Sequence, residues 1–481
     1  MRTDLPEPAE FIEYMSVIGH VIAKKFRRLG PVMVEGKFFK RIGNCFKQFF
    51  TWLDRKIGYA ARKVQWNHTE TIRNQVMFFP FAHSVSCNLK YISDELIRRQ
   101  APVEIWWSVT NPEMTKIDAA EIAAKDHRIT DRVLQLAKGR RVAEPTDEEK
   151  AAAEEIHRID AFIQKHVHFV KTNTYEYFAA AAGSKVLFTN SLLGDKFYPF
   201  PVRQNQLVVQ TWHGSLGIKR FDPAHYNTNV SWPVAARRTG NLTTHIISNS
   251  DFEDAVFRET FWEKTPILKL GHARNDIFFA QSEGTREYLR KAFCKANGLA
   301  EDTKFALYAP TFRDDHNFAV YDLDAKQTVR ALEKRFGGDW KLMVRYHDND
   351  KKNGGKKNTV LSRDVIDVTQ YPDMQSLLAF TDCGITDYSS WIYDYVLMRK
   401  PGFLFAMDRA KYDNERGFYF KLEDTPFPVS TNSDELEDSI LAFDEELFQK
   451  RVTDFLSDKG CMDDGNASVR IVDQVLEWTK N

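Results

Sequence analysis

From residue 75 onward the chain alternates short, almost wholly apolar runs with longer stretches in which apolar residues recur every three or four positions. NQVMFFPFAHS, VEIWWSV, HVHFVKTNT, KVLFTNS, QLVVQTW, HIISNS and PILKLG are of the first kind; NLKYISDELIRRQ, YEYFAAAAGS and DFEDAVFRETF are of the second. A short run that is apolar on both faces predicts a strand covered on both sides. The three-to-four spacing predicts a helix with one buried stripe. Strand, helix and strand in alternation predict βαβ units and a parallel sheet. GHARNDIFF reads as a hinge, beyond which KFALYAPTFRDD, KLMVRYHD, DVIDVTQ, DCGITDYSS and GFLFA supply the strands of a second unit. The last stretch, SVRIVDQVLEWTK, is a predicted helix suited to packing back across the junction. The expectation is an α/β protein of two Rossmann-type domains facing a cleft, over residues 75–275 and 276–481.

Two segments depart from this rhythm. Residues 112–165 are charged and alanine-rich, a predicted helical insertion in which Thr146 and Glu149 have the spacing of a capping box. Residues 1–74 read as a basic amphipathic helical segment, with Phe38, Ile42, Phe46, Phe49, Phe50, Leu53 and Ile57 on one stripe and Lys37, Lys40, Arg41, Lys47, Arg55 and Lys56 beside it. Such a stripe fits an anionic membrane surface, and it equally fits a helix packed on its own domain or on another subunit.

Composition narrows the class. At 481 residues the chain is too long for one ordinary core, and 67 Lys and Arg balance 67 Asp and Glu, so net charge gives no argument for nucleic acid. Five scattered cysteines without a C-x-x-C pair fit a reduced chain rather than a disulfide framework or a zinc site. No apolar run approaches the roughly 20 residues of a membrane span. G-x-x-x-x-G-K-[ST], H-E-x-x-H and G-x-S-x-G are all absent from the sequence, so P-loop, zinc-protease and α/β-hydrolase readings lose ground.

In open parallel sheets ligands sit at the carboxyl ends of strands. Four polar clusters fall there: His213, Gly214 and Ser215 after LVVQTW; Thr311, Arg313 and Asp314 after FALYAP; Arg345 and His347 after KLMV; and Asp387, Ser389 and Ser390 after CGIT. Ser389 and Ser390 stand where a helix N-cap is expected, a place that favours phosphate, although a serine there can simply cap its helix. Arg313 and Arg345 have the fork that neutralises phosphate oxygens, or either forms a surface ion pair. His213 and His347 are placed to take a proton from a hydroxyl or to donate to a phosphate oxygen.

QTWHGSLGIK, GHARND, LYAPTFRDD and YPDMQSLLAFTDCGITDYSSWIYDYVLMRKP, in this order, resemble the CDP-glycerol glycerophosphotransferase family of teichoic acid and capsule primases and polymerases. The resemblance implies a GT-B-like fold and transfer of a polyol phosphate from its CDP donor to an acceptor hydroxyl, with CMP leaving. It makes His213 the base and His347 a ligand of the donor phosphates. Gly214, Ser215, Lys219, Thr311, Arg313, Arg345, Ser389 and Ser390 then bind substrate, while Asp387 and Asp394 position the loop or contact the donor. The implied partners are CDP-glycerol or a related CDP-polyol and a lipid-linked or polymeric acceptor, at the cytoplasmic face of a membrane. No cofactor or metal is expected beyond a magnesium ion riding on the diphosphate. WHGSLGIK carries one residue more before its lysine than the family's usual WHGTPLK, and GHARND stands for a GYPRND-like stretch. These departures leave the acceptor and the polyol open. CDP-ribitol, another nucleotide donor on the same fold, or a non-catalytic scaffold are the alternatives.

Overall fold

The computed structural model describes Trp66, Glu70 and residues 72–480 other than 82, 194–199, 218–219, 221–230, 312–322, 347–363 and 410–416. Nearly all of the basic N-terminal segment, together with Lys219, Arg313, Asp314 and His347, lies outside the described residues.

The apolar runs form two parallel sheets. The first contains β1 (Ile72–Phe79), β2 (Glu104–Val109), β3 (Val167–Lys171), β4 (Ser184–Thr189), β5 (Leu207–Gln210), β6 (His245–Ser248) and β7 (Ile267–Lys269). Its spatial order is β3-β2-β1-β4-β5-β6-β7. The second contains β8 (Lys304–Tyr308), β9 (Trp340–Val344), β10 (Val365–Asp367), β11 (Cys383–Thr386), β12 (Gly402–Phe405) and β13 (Val429–Ser430), in the order β10-β9-β8-β11-β12-β13. In each sheet the strand order reverses beside the first strand, which opens a crevice at the carboxyl ends. Both crevices belong to a GT-B-like pair of Rossmann-type domains. The two-residue β13 and the helix Ser231–Leu242 were not expected. The strand is too short to leave a pattern, and the helix contains Pro233 and Gly240, which read as breakers.

Each sheet carries its own aromatic core. Phe78 on β1 stacks between Trp107 on β2 and Phe188 on β4, at 4.7 and 5.4 Å. In the second domain Phe293, Phe305 and Phe380 pack together beneath β8. The segment 112–165 forms the helices Ala119–Ala123, Asp131–Ala137 and most of Asp147–His166, and the expected Thr146–Glu149 capping box is formed. Ala152, Ile156 and Ile159 face the first core, so this segment is the crossover that carries β2 to β3.

The C-terminal helix Ala467–Lys480 does return across the junction. Ile471, Val472 and Val475 lie in the first domain's core, although the sequence boundary assigns them to the second. Asp276, in the hinge, fixes the start of this helix by accepting from the Ala467 and Ser468 amides at 2.9 and 2.7 Å.

Candidate active site in the interdomain cleft

β5 ends at Gln210, and the backbone then turns sharply. Trp212 has φ of 48°, a left-handed conformation unusual for a bulky residue and costing on the order of 1–3 kcal/mol. Two amide side chains hold it. Gln210 Oε1 accepts from the Trp212 amide at 2.9 Å, and Asn88 Nδ2 donates to the Thr211 and Trp212 carbonyls at 3.1 and 3.3 Å. The turn delivers His213 to the end of the sheet.

There, Nδ1 of His213 lies 2.5 Å from the Asn190 carbonyl oxygen, at the end of β4. A carbonyl only accepts, so the proton is on Nδ1 and Nε2 carries the lone pair. The rings of Phe81 and Trp212 lie against the imidazole, at 4.8 and 4.3 Å. Burial lowers the His213 pKa to about 4; the Asn190 hydrogen bond opposes this, and the Arg274 charge adds to it. The imidazole is therefore neutral at physiological pH.

A cavity of about 190 Å³ opens beside it, lined by Trp212, His213, Gly214, Ser215 and Phe252 of the first domain and by Ser390 and Tyr419 of the second. The loop that follows His213 crosses between the domains. Leu216 is buried in the second domain's core, and Arg220 donates from its amide and Nε to the carbonyls of Gly417 and Phe418. Gly217 passes so near Ser390 that an added Cβ would lie 3.0 Å from the serine's own.

The floor of the cleft is a buried polar network built from the GHARND stretch. His272, fully buried, bonds through Nε2 to Glu253 Oε2 at 2.7 Å. Burial alone would lower its pKa, but the Glu253 carboxylate prevails and raises it. Asn249 donates to Ser215 Oγ and to Asp463, both at 2.8 Å, and Asn275 donates to Asp463 at 2.7 Å. Arg274 pairs with Asp394 of the second domain at 2.9 Å, with both side chains buried.

The expected residues thus divide. His213, Gly214, Ser215 and Ser390 share one cavity. Ser215 is buried with its hydroxyl bonded to Asn249, so within the loop it serves as an anchor. Thr311, Arg345 and Asp387 stand at the ends of β8, β9 and β11, as expected, but outside that cavity's lining. Arg345 Nη1 donates to the Tyr371 carbonyl at 2.6 Å, and Asp387 accepts from the amides of Thr311 and Tyr388 at 2.8 and 2.6 Å.

One expectation needs correction. Ser390 occupies the N-cap position of the helix Trp391–Tyr395 but makes no capping bond, because its backbone is already helical, with φ of −68° and ψ of −16°. Ser389 is half-buried one residue earlier. Of the two roles expected of Asp394, positioning fits its bonds: both its oxygens accept from Arg274, Asn275 and Gln375. It is a positioning residue.

Asn88, Asn190 and Phe81 were missed. Asn190 lies just beyond β4, so the strand-end rule that picked out His213 would also have picked it; Phe81, just beyond β1, is apolar and leaves no such signal. Among the described residues no group of three or more His, Cys, Asp or Glu side chains is arranged to hold a metal ion, and no helix is long and apolar enough to cross a membrane.

Two Rossmann-type domains with a neutral histidine in the cleft between them form a GT-B-like arrangement suited to group transfer. Residues 128–477 match the family described as CDP-Glycerol:Poly(glycerophosphate) glycerophosphotransferase, and the chain belongs to that family. It is similar to the teichoic acid poly(glycerol phosphate) polymerase of Staphylococcus epidermidis, 32% identical over 64% of this chain and 43% of that protein. It is also similar to the teichoic acid glycerol-phosphate transferase of Staphylococcus aureus, 27% identical over 66% of this chain and 82% of that one. A teichoic acid ribitol-phosphate primase of Bacillus spizizenii is 31% identical over 60% of this chain and 74% of its own length. The match therefore spans less than half of the Staphylococcus epidermidis polymerase. A solved structure of the wall teichoic acid polymerase TagF superposes with a TM-score of 0.66 at 23% identity, over 91% of this chain and 98% of that one, a likeness of fold.

Proposed function

We propose that this chain transfers glycerol phosphate from CDP-glycerol to an acceptor hydroxyl, releasing CMP, in the synthesis of a teichoic acid or capsule polymer. One observation carries the reading. His213 donates a hydrogen bond from its Nδ1–H to the Asn190 carbonyl and so keeps the Nε2 lone pair free as a base, in a cavity that both domains line. The acceptor hydroxyl loses its proton to Nε2 as its oxygen attacks the glycerol-bearing phosphorus. The bond from that phosphorus to the CMP oxygen breaks, and CMP leaves with the electron pair. Such a transfer asks chiefly for positioning and charge stabilisation. Arg345, with Arg313 and His347, is assigned to the donor phosphates. Magnesium is assigned no role beyond accompanying the diphosphate.

The similarity to a ribitol-phosphate primase supports CDP-ribitol as a second donor. A lipid-linked acceptor and peripheral attachment at the cytoplasmic membrane face complete the proposal, with the basic aromatic segment 1–74 as the attachment. The test is CMP release by the purified chain with each CDP-polyol and a membrane extract, beside His213→Gln. Release with one donor that the substitution abolishes supports the reading and names the polyol. Release that persists in His213→Gln refutes the base assignment. Pelleting with anionic vesicles that survives deletion of residues 1–64 refutes the attachment.

A further inference from the structure

Phe81 sits at the cleft without a place in either core. Its ring is 53% exposed, and it belongs to none of the hydrophobic clusters among the described residues. A single exposed phenylalanine needs no explanation. What sets this one apart is its neighbour: its ring lies 4.8 Å from the His213 imidazole, within 18° of parallel. Its backbone is also tied to the same partner as the histidine. The Phe81 amide donates to Asn190 Oδ1 at 2.7 Å, while the Asn190 main-chain oxygen accepts from His213 Nδ1. Asn190 thus holds the imidazole with its backbone and the covering ring with its side chain.

We infer that Phe81 is a positioning residue for the reaction, clamped by Asn190 against the face of His213 so that the imidazole keeps one plane. The inference rests on His213 acting as the base. The hydrogen bond at Nδ1 fixes one point of the ring but does not resist tilting; a parallel ring at stacking distance does. The same ring keeps water from one face, which disfavours the imidazolium form. Arg274 also disfavours that form by its charge, and Glu253 lines the same cavity; both stay in place when Phe81 is removed.

The test compares Phe81→Ala, Phe81→Leu and Phe81→Tyr with His213→Gln in the full chain. The readouts are kcat, KM for CDP-glycerol, the acid limb of the pH–rate profile, and modification of His213 by diethyl pyrocarbonate, read by peptide mass. Phe81→Ala is expected to lower kcat about tenfold with little change in KM, since an interaction felt only through the base is lost. Its acid limb is expected to move up from about 4 toward 6.5, and His213 is expected to be modified several-fold faster. Phe81→Leu, which keeps apolar bulk without a flat ring, should fall between, and Phe81→Tyr should restore all three. Wild-type kcat, acid limb and modification rate in Phe81→Ala, with His213→Gln inactive, would overturn the clamp and leave the base standing. Full activity in His213→Gln would instead remove the base. The modification rate then decides the clamp alone, an unchanged rate refuting it.

Discussion

Replacing Asp394 with asparagine removes one charge from the buried junction between the domains. In the native chain Asp394 Oδ2 accepts from Arg274 Nη2 at 2.9 Å and from Gln375 at 3.1 Å, and Oδ1 accepts from Arg274 at 3.2 Å. Among the described residues, Arg274 Nη1 has only the Cys87 sulfur, at 3.3 Å, as its other side-chain partner. The asparagine amide turns one acceptor into a donor facing other donors, and the guanidinium stays buried with no carboxylate bonded to it, the charge of Glu253 acting only from further away. Breaking such a pair from one side costs about 3–5 kcal/mol. Replacing both partners, as Arg274→Met with Asp394→Leu, is expected to cost less than the two single changes summed, because no charge is then stranded. The assay is urea denaturation followed by tryptophan fluorescence and by far-ultraviolet circular dichroism. Two probes are needed because a two-domain chain need not unfold in one step. A loosened junction should lower the midpoint and separate the two curves. A destabilisation by Asp394→Asn below about 1 kcal/mol, or additive single and double changes, would refute the view that this pair is a buried lock.

The remaining predictions concern the cleft and the hinge. Because His213 ionises at about 4, below its ordinary 6.5, activity should rise with pH through about 4 and lie flat through neutrality on its account; a limb near 6.5 in kcat/KM would refute the buried, neutral imidazole. The same shift has a stability consequence: the unfolded chain takes up this proton near 6.5 and the folded chain only near 4, so His213 withdraws stability as pH falls through that window, and His213→Gln should flatten this part of the melting-temperature profile. Gly217→Val presses on Ser390 at the mouth of the cavity, and a displacement of even 1 Å there should lower kcat/KM at least about tenfold while circular dichroism stays unchanged. Asp276→Ala removes the acceptor that starts the C-terminal helix and should cost about 1–2 kcal/mol in urea denaturation.

What could be read in advance was whatever depends on neighbours in sequence. A buried parallel strand announces itself within five or six residues, and the polar residue after it announces the crevice. That is why β5 and His213, or β11 and Asp387, were legible without coordinates. The floor of the cleft was not, because its partners are far apart along the chain. Asn88, Thr211 and Arg274 meet through one side chain, and Asn249, Asn275 and Asp463 through another. No local period marks such residues, since each is simply a polar position in a helix or a loop. Ser390 failed for the opposite reason: a local rule was overridden by tertiary contact. A serine before an apolar helix predicts a capping bond, but at this junction the chain is already helical at Ser390, and its Cβ packs against Gly217 from the other domain. His213 carries both lessons. Its place at the end of a strand is written in QLVVQTWHGS, while its tautomer comes from Asn190, its lowered pKa from burial and from Arg274, and its stacking partner is Phe81, all on other segments. The chemistry proposed for it needs all of them, so a substitution at Phe81 or Asn190 should alter the base without touching the motif that names it.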